Sequence, residues 1–336
     1  MLNHDDEQSK PSSKAIGARF SFTRMFSAGI VWLLIALGLT GSLVTLASFG
    51  AAWDWRLDLL VNMRTQLILG AAIVVGLLAI MKRWKPAMLF SLFLLVNLAD
   101  VLPLYLSNQS ADSFKNEFVL VSANVWTGNN EKAKYIASVR EVDADVLVFL
   151  EVDQAWANAL QALSASHPYQ FVEPLENNFG VALFSRYPIE DARAEYFAGD
   201  LPTVVATVRL SERDSVLIVG THTVPPKNRS LFEYRNAELE EIAIFTSRST
   251  IPTVVCGDFN ATPWSPAFKS MVRKSNLRDA RRGFGLNATW PQTAWPIKIP
   301  IDHILVSQDI VVGDFSVGPH SGSDHRMVIG ELGLGR

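Results

Sequence analysis

The chain has 336 residues, a net charge of −3 and 49% hydrophobic residues, which is long enough for two domains and too apolar for an ordinary water-soluble one. Its single cysteine, Cys256, excludes an intramolecular disulfide and, set in an apolar run, reads as a small buried hydrophobe rather than a nucleophile. From residue 107 onward 21 Lys/Arg stand against 27 Asp/Glu, so this part gains little from phosphate counterion release, which argues against long duplex nucleic acid as a partner.

Residues 1–27 are polar, carry Lys10, Lys14, Arg19 and Arg24, and read as a disordered tail with a basic end. Residues 28–50 are apolar and uncharged, about the length that crosses a bilayer as a helix. Two further apolar runs cover 67–81 and 87–106, the last interrupted by Asn97 and Asp100, which are expected to face water near its end. A cleaved signal peptide is the competing reading of the first run; the apolar runs behind it favour an uncleaved anchor. Residues 28–106 therefore read as a membrane region of about three transmembrane helices. Between the first two runs the turn carries Asp54, Arg56 and Asp58 without basic excess, whereas the second turn is Lys82-Arg83-Trp84-Lys85-Pro86. Basic segments stay in the cytoplasm. With three spans, the tail is cytoplasmic and the C-terminal domain lies on the extracytoplasmic face of the plasma (inner) membrane, with the lipid bilayer as a partner. Trp53, Trp55 and Trp84 are placed as interfacial anchors.

Residues 107–117 read as a linker and 118–336 as a separate domain. Strand-type runs at 118–125 and 145–149 flank a helix at 131–140. They end in Asn124 and in Leu150-Glu151, and a Glu directly behind a continuous apolar strand is costly to bury unless it is paired or holds a cation. After a helix at 153–164, short strands are expected at 169–172 and 180–185, and a hairpin at 203–210 and 215–220 leads into Thr221-His222-Thr223. A helix over 230–248 carries Arg235. Ile251 to Cys256 then reads as a buried strand stopping at Gly257-Asp258-Phe259-Asn260, followed by a helix opened by Ser265-Pro266. A Trp- and Pro-rich loop over 287–300 includes Trp290 and Trp295. A strand over 301–306 carries Asp302, and the last strand begins after Gly322-Ser323-Asp324-His325.

Polar groups thus gather at six predicted strand ends, where ligands and metals collect in layered α/β folds. Carboxylates and amides without thiolates suit a hard cation, Mg²⁺ or Mn²⁺. Two histidines suit proton transfer and charge stabilisation at phosphate. The reaction class this suggests is metal-assisted hydrolysis of a phosphoester by water.

The stretches S-A-N-V-W (122–126), F-L-E-V (149–152), G-V-A-L-F-S-R-Y-P-I (180–189), T-H-T (221–223), G-D-F-N-A-T-P (257–263), I-D-H-I-L (301–305) and G-S-D-H-R (322–326), in this order, resemble the endonuclease/exonuclease/phosphatase superfamily. The resemblance implies an α/β (α+β) fold, a four-layer α/β/β/α sandwich of two packed mixed sheets. It further implies Glu151 as main metal ligand with Asn124 beside it and Asp324 near the metal or a second one. Asp258 and Asn260 would position or activate water, His325 oriented by Asp302 would act at the phosphate, and His222 would stabilise transition-state charge. Whether Asp258 or His325 is the general base stays open. The sequence departs from the family pattern at Leu150, where many relatives carry Gln, and at Met327, where Pro is common; neither removes a reactive group.

The expectation is a membrane-anchored, divalent-metal-dependent phosphodiesterase or phosphatase leaning to a lipid headgroup or small phosphoester, with Arg235 and Trp290 as substrate contacts and no protein partner. The alternatives are an anchored extracytoplasmic nuclease and a catalytically silent binding module of the same fold.

Overall fold

The computed structural model describes residues 13–106, 115–294 and 296–335, with side chains from Phe26 on. The expected tail over 1–12, most of the expected linker (107–114) and Trp295 lie outside the described residues. Four helices come first: α1 (Ser13–Ala47), continued by a 3₁₀ turn at Ser48–Gly50, α2 (Trp55–Val61), α3 (Arg64–Ile80) and α4 (Trp84–Val101), continued by a 3₁₀ turn at Leu102–Tyr105. Two expectations are corrected here. Residues 13–27 are helical, since the apolar run behind them propagates the helix toward the N-terminus. The stretch around Asp54–Asp58 is not a turn. Asp54 caps α2 by accepting the Arg56 N–H at 2.8 Å, and the helix it starts is short enough to hide between two longer apolar runs.

Residues 26–50 and 84–105 are each long and apolar enough to cross a membrane, and α2 with α3, bent by 59°, would make a third, broken span. The bundle packs Val31 and Leu34 of α1 against Val74 and Leu78 of α3 and Ala87 and Phe90 of α4. Gly38 is required at that crossing, because a Cβ would lie 2.4 Å from the Phe90 ring. Leu33, Leu37, Leu43, Ile73, Leu92 and Leu95 point outward and are exposed, a continuous apolar surface of the kind that a bilayer covers. Asn97 and Asp100 do not simply face water. Asn97 is buried, accepts Arg64 Nη1 at 2.9 Å and donates to Thr45 Oγ1 at 2.9 Å, while Asp100 pairs with Arg64 at 3.1 Å and with Lys269 at 2.6 Å. An amide and a carboxylate on an apolar helix need partners, and Arg64 supplies them.

The rest of the chain runs β1 (Lys115–Asn124), α5 (Lys132–Glu141), β2 (Val146–Leu150), α6 (Gln154–Leu160), β3 (Tyr169–Glu173), β4 (Val181–Ser185), β5 (Ile189–Tyr196), β6 (Pro202–Arg209) and β7 (Ser215–His222). It continues through α7 (Arg229–Ser247), β8 (Thr253–Asp258), α8 (Pro266–Ser275), β9 (Arg278–Asp279), β10 (Asp302–Val306), β11 (Ile310–Val317) and β12 (Val328–Leu334). One sheet has the order β11-β12-β1-β2-β4-β3, the other β5-β6-β7-β8-β10-β9. The two-residue side-chain period of a strand explains why the apolar run in β2 is continuous. Val146, Val148 and Leu150 join the core between the sheets with Ile218, Cys256 and Ile304, while Leu147 and Phe149 face outward under Tyr135 of α5 and Trp156 of α6. Helices α7 and α8 cover the second sheet through Leu239, Ile242, Phe268 and Met271. This is the expected four-layer α/β/β/α sandwich. Cys256 is buried in it, and burial pushes its thiol up to about 12, which leaves it unreactive.

Three strands escape the sequence reading. β5 is an edge strand studded with Glu190, Asp191, Arg193 and Glu195, charges that protect an edge from further pairing and erase the apolar signature. β9 has two residues, and β11 is another edge strand, interrupted by a register shift between Val312 and Asp314. Lys115–Glu117, expected in the linker, already belong to β1.

Candidate active site

The strand ends do converge on one edge of the sandwich. Parallel pairing of β7 with β8 sets His222 opposite Asp258, and antiparallel pairing of β8 with β10 sets Asp302 opposite Asp258, so three adjacent strands present one row. That approach needs Gly257. Its φ is +140°, and a Cβ there would lie 1.9 Å from Thr221 O. In the other sheet β1 and β2 pair Asn124 with Leu150, which brings Glu151 to the same edge. Glu151 (φ 61°) and Asn260 (φ 45°) both take left-handed backbone, a strain of about 1–2 kcal/mol each that the surroundings must hold in place.

Glu151 is held from two sides, by Asn124 Nδ2 at 3.0 Å and by the Thr127 N–H at 3.1 Å. Asn124 Oδ1 takes the Trp126 N–H at 3.0 Å, which fixes the amide's orientation and leaves Nδ2 also 3.3 Å from Asp258 Oδ2. Asp258 is the hub. Its Oδ1 accepts the Asn260 N–H at 2.9 Å, and its Oδ2 lies 3.5 Å from His222 Nε2 and 3.7 Å from His325 Nε2. Burial, reinforced by the Asp302 carboxylate, pushes Asp258 up to about 6 despite the neighbouring imidazoles. His325 Nδ1 sits 2.9 Å from Asp302 Oδ2. Burial would lower its pKa, but the Asp302 and Asp258 carboxylates and the Asp302 hydrogen bond outweigh that and raise it to about 10. His222 Nδ1–H donates to Asn178 O at 3.1 Å, which points Nε2 at Asp258. Asn260 Nδ2 donates to Thr223 O at 2.7 Å, so its Oδ1 is the atom free to meet a ligand.

Asp258, Asp302 and His325 offer ligand atoms that all lie within 4.8 Å of one another, a possible Asp-Asp-His metal site. Buried carboxylates crowded this closely, beside a Glu151–Asn124 pair and without thiolates, fit a hard divalent cation. Asp324 Oδ2 accepts the Trp290 indole N–H at 3.1 Å, while its buried Oδ1 has no hydrogen-bond partner among the described residues. Trp290 is half-buried, its ring 6.3 Å from that of His325, at the mouth of the site.

Arg235 does not fit the expected substrate contact. It is fully buried, donates through Nη1 to Asn260 O at 2.8 Å and pairs through Nη2 with Asp58 of α2 at 2.7 Å. The sequence reading could not see that partner, 177 residues away. It also passed over Thr127, whose hydroxyl donates to Glu151 O at 3.1 Å, and Ser323, which donates to Asn124 O at 2.8 Å and accepts the His325 N–H at 3.0 Å. Ser323 lies inside the quoted G-S-D-H-R stretch, but nothing in the sequence marks Thr127.

The sandwich matches solved structures. One is an endonuclease/exonuclease/phosphatase from Beutenbergia cavernae (TM-score 0.53, 19% identity, 65% of this chain and 72% of that one). Another is truncated TDP2 of Caenorhabditis elegans (TM-score 0.54, 16% identity, 66% of this chain and all of that one). At these identities the likeness concerns the fold. By sequence the chain is 25% identical over 246 residues to a phospholipase C of Staphylococcus aureus, covering 59% of this chain and 74% of that protein. The sequence model of the Endonuclease/Exonuclease/phosphatase family matches residues 121–325, a span that begins in β1 before Asn124 and ends on His325. The chain therefore belongs to the endonuclease/exonuclease/phosphatase family, whose members are hydrolases acting on phosphoester bonds.

Proposed function

We propose that this protein is a membrane-embedded, Mg²⁺- or Mn²⁺-dependent phosphodiesterase acting on a phosphoester in a lipid headgroup. The observation that carries the reading is the seat of the active-site edge. The loop behind Asp258 rests on the end of the apolar helix bundle, where Asn62 accepts Thr262 Oγ1 at 2.7 Å. The loop bearing Trp290 rests there too, where Gln66 Nε2 donates to Pro296 O at 2.9 Å. A site at that height lies beside the headgroups of a bilayer that covers the bundle. Cations add to it. Exposed Arg273 and Arg282 flank a cavity of about 680 Å³ between the end of α4 and α8, placing positive charge where anionic headgroups would lie. The similarity to a phospholipase C points the same way.

A cation held by Glu151 and Asn124 would polarise the phosphoryl oxygens. The chain's own residues supply the rest. Asp258, raised toward neutrality, is suited to accept a proton from the attacking water, with Asn260 Oδ1 orienting that water. His325, held by Asp302, keeps a proton on Nε2 that stabilises the phosphoryl charge or passes to the leaving oxygen. His222, its Nε2 turned to the same Asp258 carboxylate, lies where it would stabilise transition-state charge. Trp290, at the mouth, contacts the substrate.

An extracytoplasmic placement is supported by the bundle's polarity. α3 rises about 25 Å from Arg64 at the domain end to Ile80, and the Lys82–Lys85 turn and the start of α1 lie at that far end. The basic Lys82–Lys85 turn is thus opposite the catalytic domain, as the positive-inside rule requires. A C-terminal alkaline phosphatase fusion is expected to be active and a green fluorescent protein fusion dark; the reverse would place the domain in the cytoplasm.

The functional test is hydrolysis by the whole chain in vesicles of sphingomyelin or phosphoinositide, with plasmid DNA alongside, in Mg²⁺ and in chelator, with His325→Ala as control. Mg²⁺-dependent headgroup release absent from His325→Ala is the expected result. Cleavage of DNA with the lipids untouched would make it an anchored nuclease, and inactivity on every phosphoester would favour a silent module.

A further inference from the structure

Helix α2 is not a passive piece of the anchor. Asp58, 1% exposed on α2, accepts Arg235 Nη2 at 2.7 Å on one carboxylate oxygen and Ser265 Oγ at 3.2 Å on the other. Arg235 in turn donates through Nη1 to Asn260 O at 2.8 Å and through Nε to Asn236 Oδ1 at 2.8 Å. One turn along, at the C-cap of α2, Asn62 takes the Thr262 hydroxyl. Trp264 is buried among Ala51, Val61, Val101 and Leu104 of the helical region, so it is a packing residue. The loop 260–265 is therefore gripped at Asn260, Thr262, Trp264 and Ser265, and each grip ends in the membrane region.

Asn260 is where the grip meets chemistry. Its left-handed backbone turns its N–H onto Asp258 Oδ1, which leaves Oδ2 facing His222, His325 and Asn124. Arg235 holds the carbonyl of the same residue. A strained backbone persists only where its surroundings over-determine it, and here Asp58 supplies the charge that keeps the buried guanidinium in place.

We infer that α2 is a positioning element of the active site: Asp58, acting through Arg235, sets Asn260 and so the Asp258 carboxylate, and the hydrolase is complete only when its domain is seated on the membrane region. The inference rests on the proposed roles of Asp258 and Asn260. Asp58 and Arg235 are positioning residues: both are buried and act through Asn260.

The test uses the whole chain in detergent micelles and a small diester, bis-p-nitrophenyl phosphate, so that access to a lipid surface plays no part. Asp58→Ala is expected to lower kcat about tenfold or more per folded molecule with KM nearly unchanged, since small misplacements of catalytic groups carry losses of that size. Asp58→Glu, which keeps the carboxylate, should retain most of the activity. Lys269→Ala, which breaks the Lys269–Asp100 pair on another flank of the same interface, should leave kcat at its wild-type value. If Asp58→Ala does not fold, Asp58→Asn keeps the volume and loses the charge, and it should show a smaller loss in the same direction. Wild-type kcat in the folded Asp58 variants, or an equal loss in Lys269→Ala, would overturn the inference. His325→Ala run in parallel separates the two layers. If it is dead while Asp58→Ala is active, the site stands and the positioning role falls; if His325→Ala stays active, both fall.

Discussion

On the first sheet, Glu151 is held by Asn124 and Thr127, residues within 27 positions of it and within the same α/β layer. On the second sheet, the loop that carries Asn260 is held by Asp58 and Asn62, 177 positions from Arg235 and 200 from Thr262, in a region whose other faces suit lipid. The two halves of one site thus have different dependences. The Glu151 half is a property of the sandwich alone. The Asp258–Asn260 half borrows its rigidity from the apolar helices.

The largest blow to both halves together is His325→Ala. It leaves Asp302 without its partner and removes the proton carried toward the phosphate, and kcat should fall by about 10²–10⁴. Removing residues 1–114 tests the asymmetry itself. It takes Asp58 from Arg235 and bares both Arg235 and the indole of Trp264 to water, so the isolated domain should lose stability. Thermal unfolding of the truncated domain would measure it; a truncation as stable and active as the whole chain would erase the contrast. Thr127→Val probes the self-sufficient half. Losing the hydroxyl that bonds to Glu151 O should weaken Mg²⁺ activation about tenfold, read as a shift of the metal concentration giving half-maximal rate.

A quieter contrast lies behind the second sheet. Glu238 on α7 is buried against Thr221, and burial, only partly offset by the Thr221 hydrogen bond, pushes it up to about 8. A carboxyl raised in the folded state stabilises below its unfolded pKa of about 4.3, and that stability is lost as pH rises through the folded value. Urea midpoints should therefore fall between pH 5 and pH 8 in the wild type and fall less in Glu238→Gln. Smallest of all is Lys269→Ala. Its lysine is about half exposed, so losing the pair with Asp100 should cost no more than about 1 kcal/mol.

The candidate edge was legible because polar residues and strand ends coincide in this chain. A carboxylate or imidazole placed directly behind a β-branched run, as at Asp258, Glu151 and His222, announces itself, and strand pairing then has little freedom in where to put it. The edge strands β5 and β11 were not legible, because one exposed face and protective charges leave no period-two apolar pattern. Arg235 shows the deeper limit. A lone arginine near the start of a helix looks the same in the sequence whether it greets a phosphate or a buried carboxylate.

By itself the sequence determined the layers, the apolar helices and which polar groups stand at the strand ends, since these follow from local periodicity and from residue chemistry. Only the tertiary structure decided that α2 exists as a helix, that Asp58 finds Arg235 and that the sandwich is seated on the helical bundle. Those facts depend on which buried charge meets which across nearly two hundred residues, and a pairing of that kind is set by packing in three dimensions.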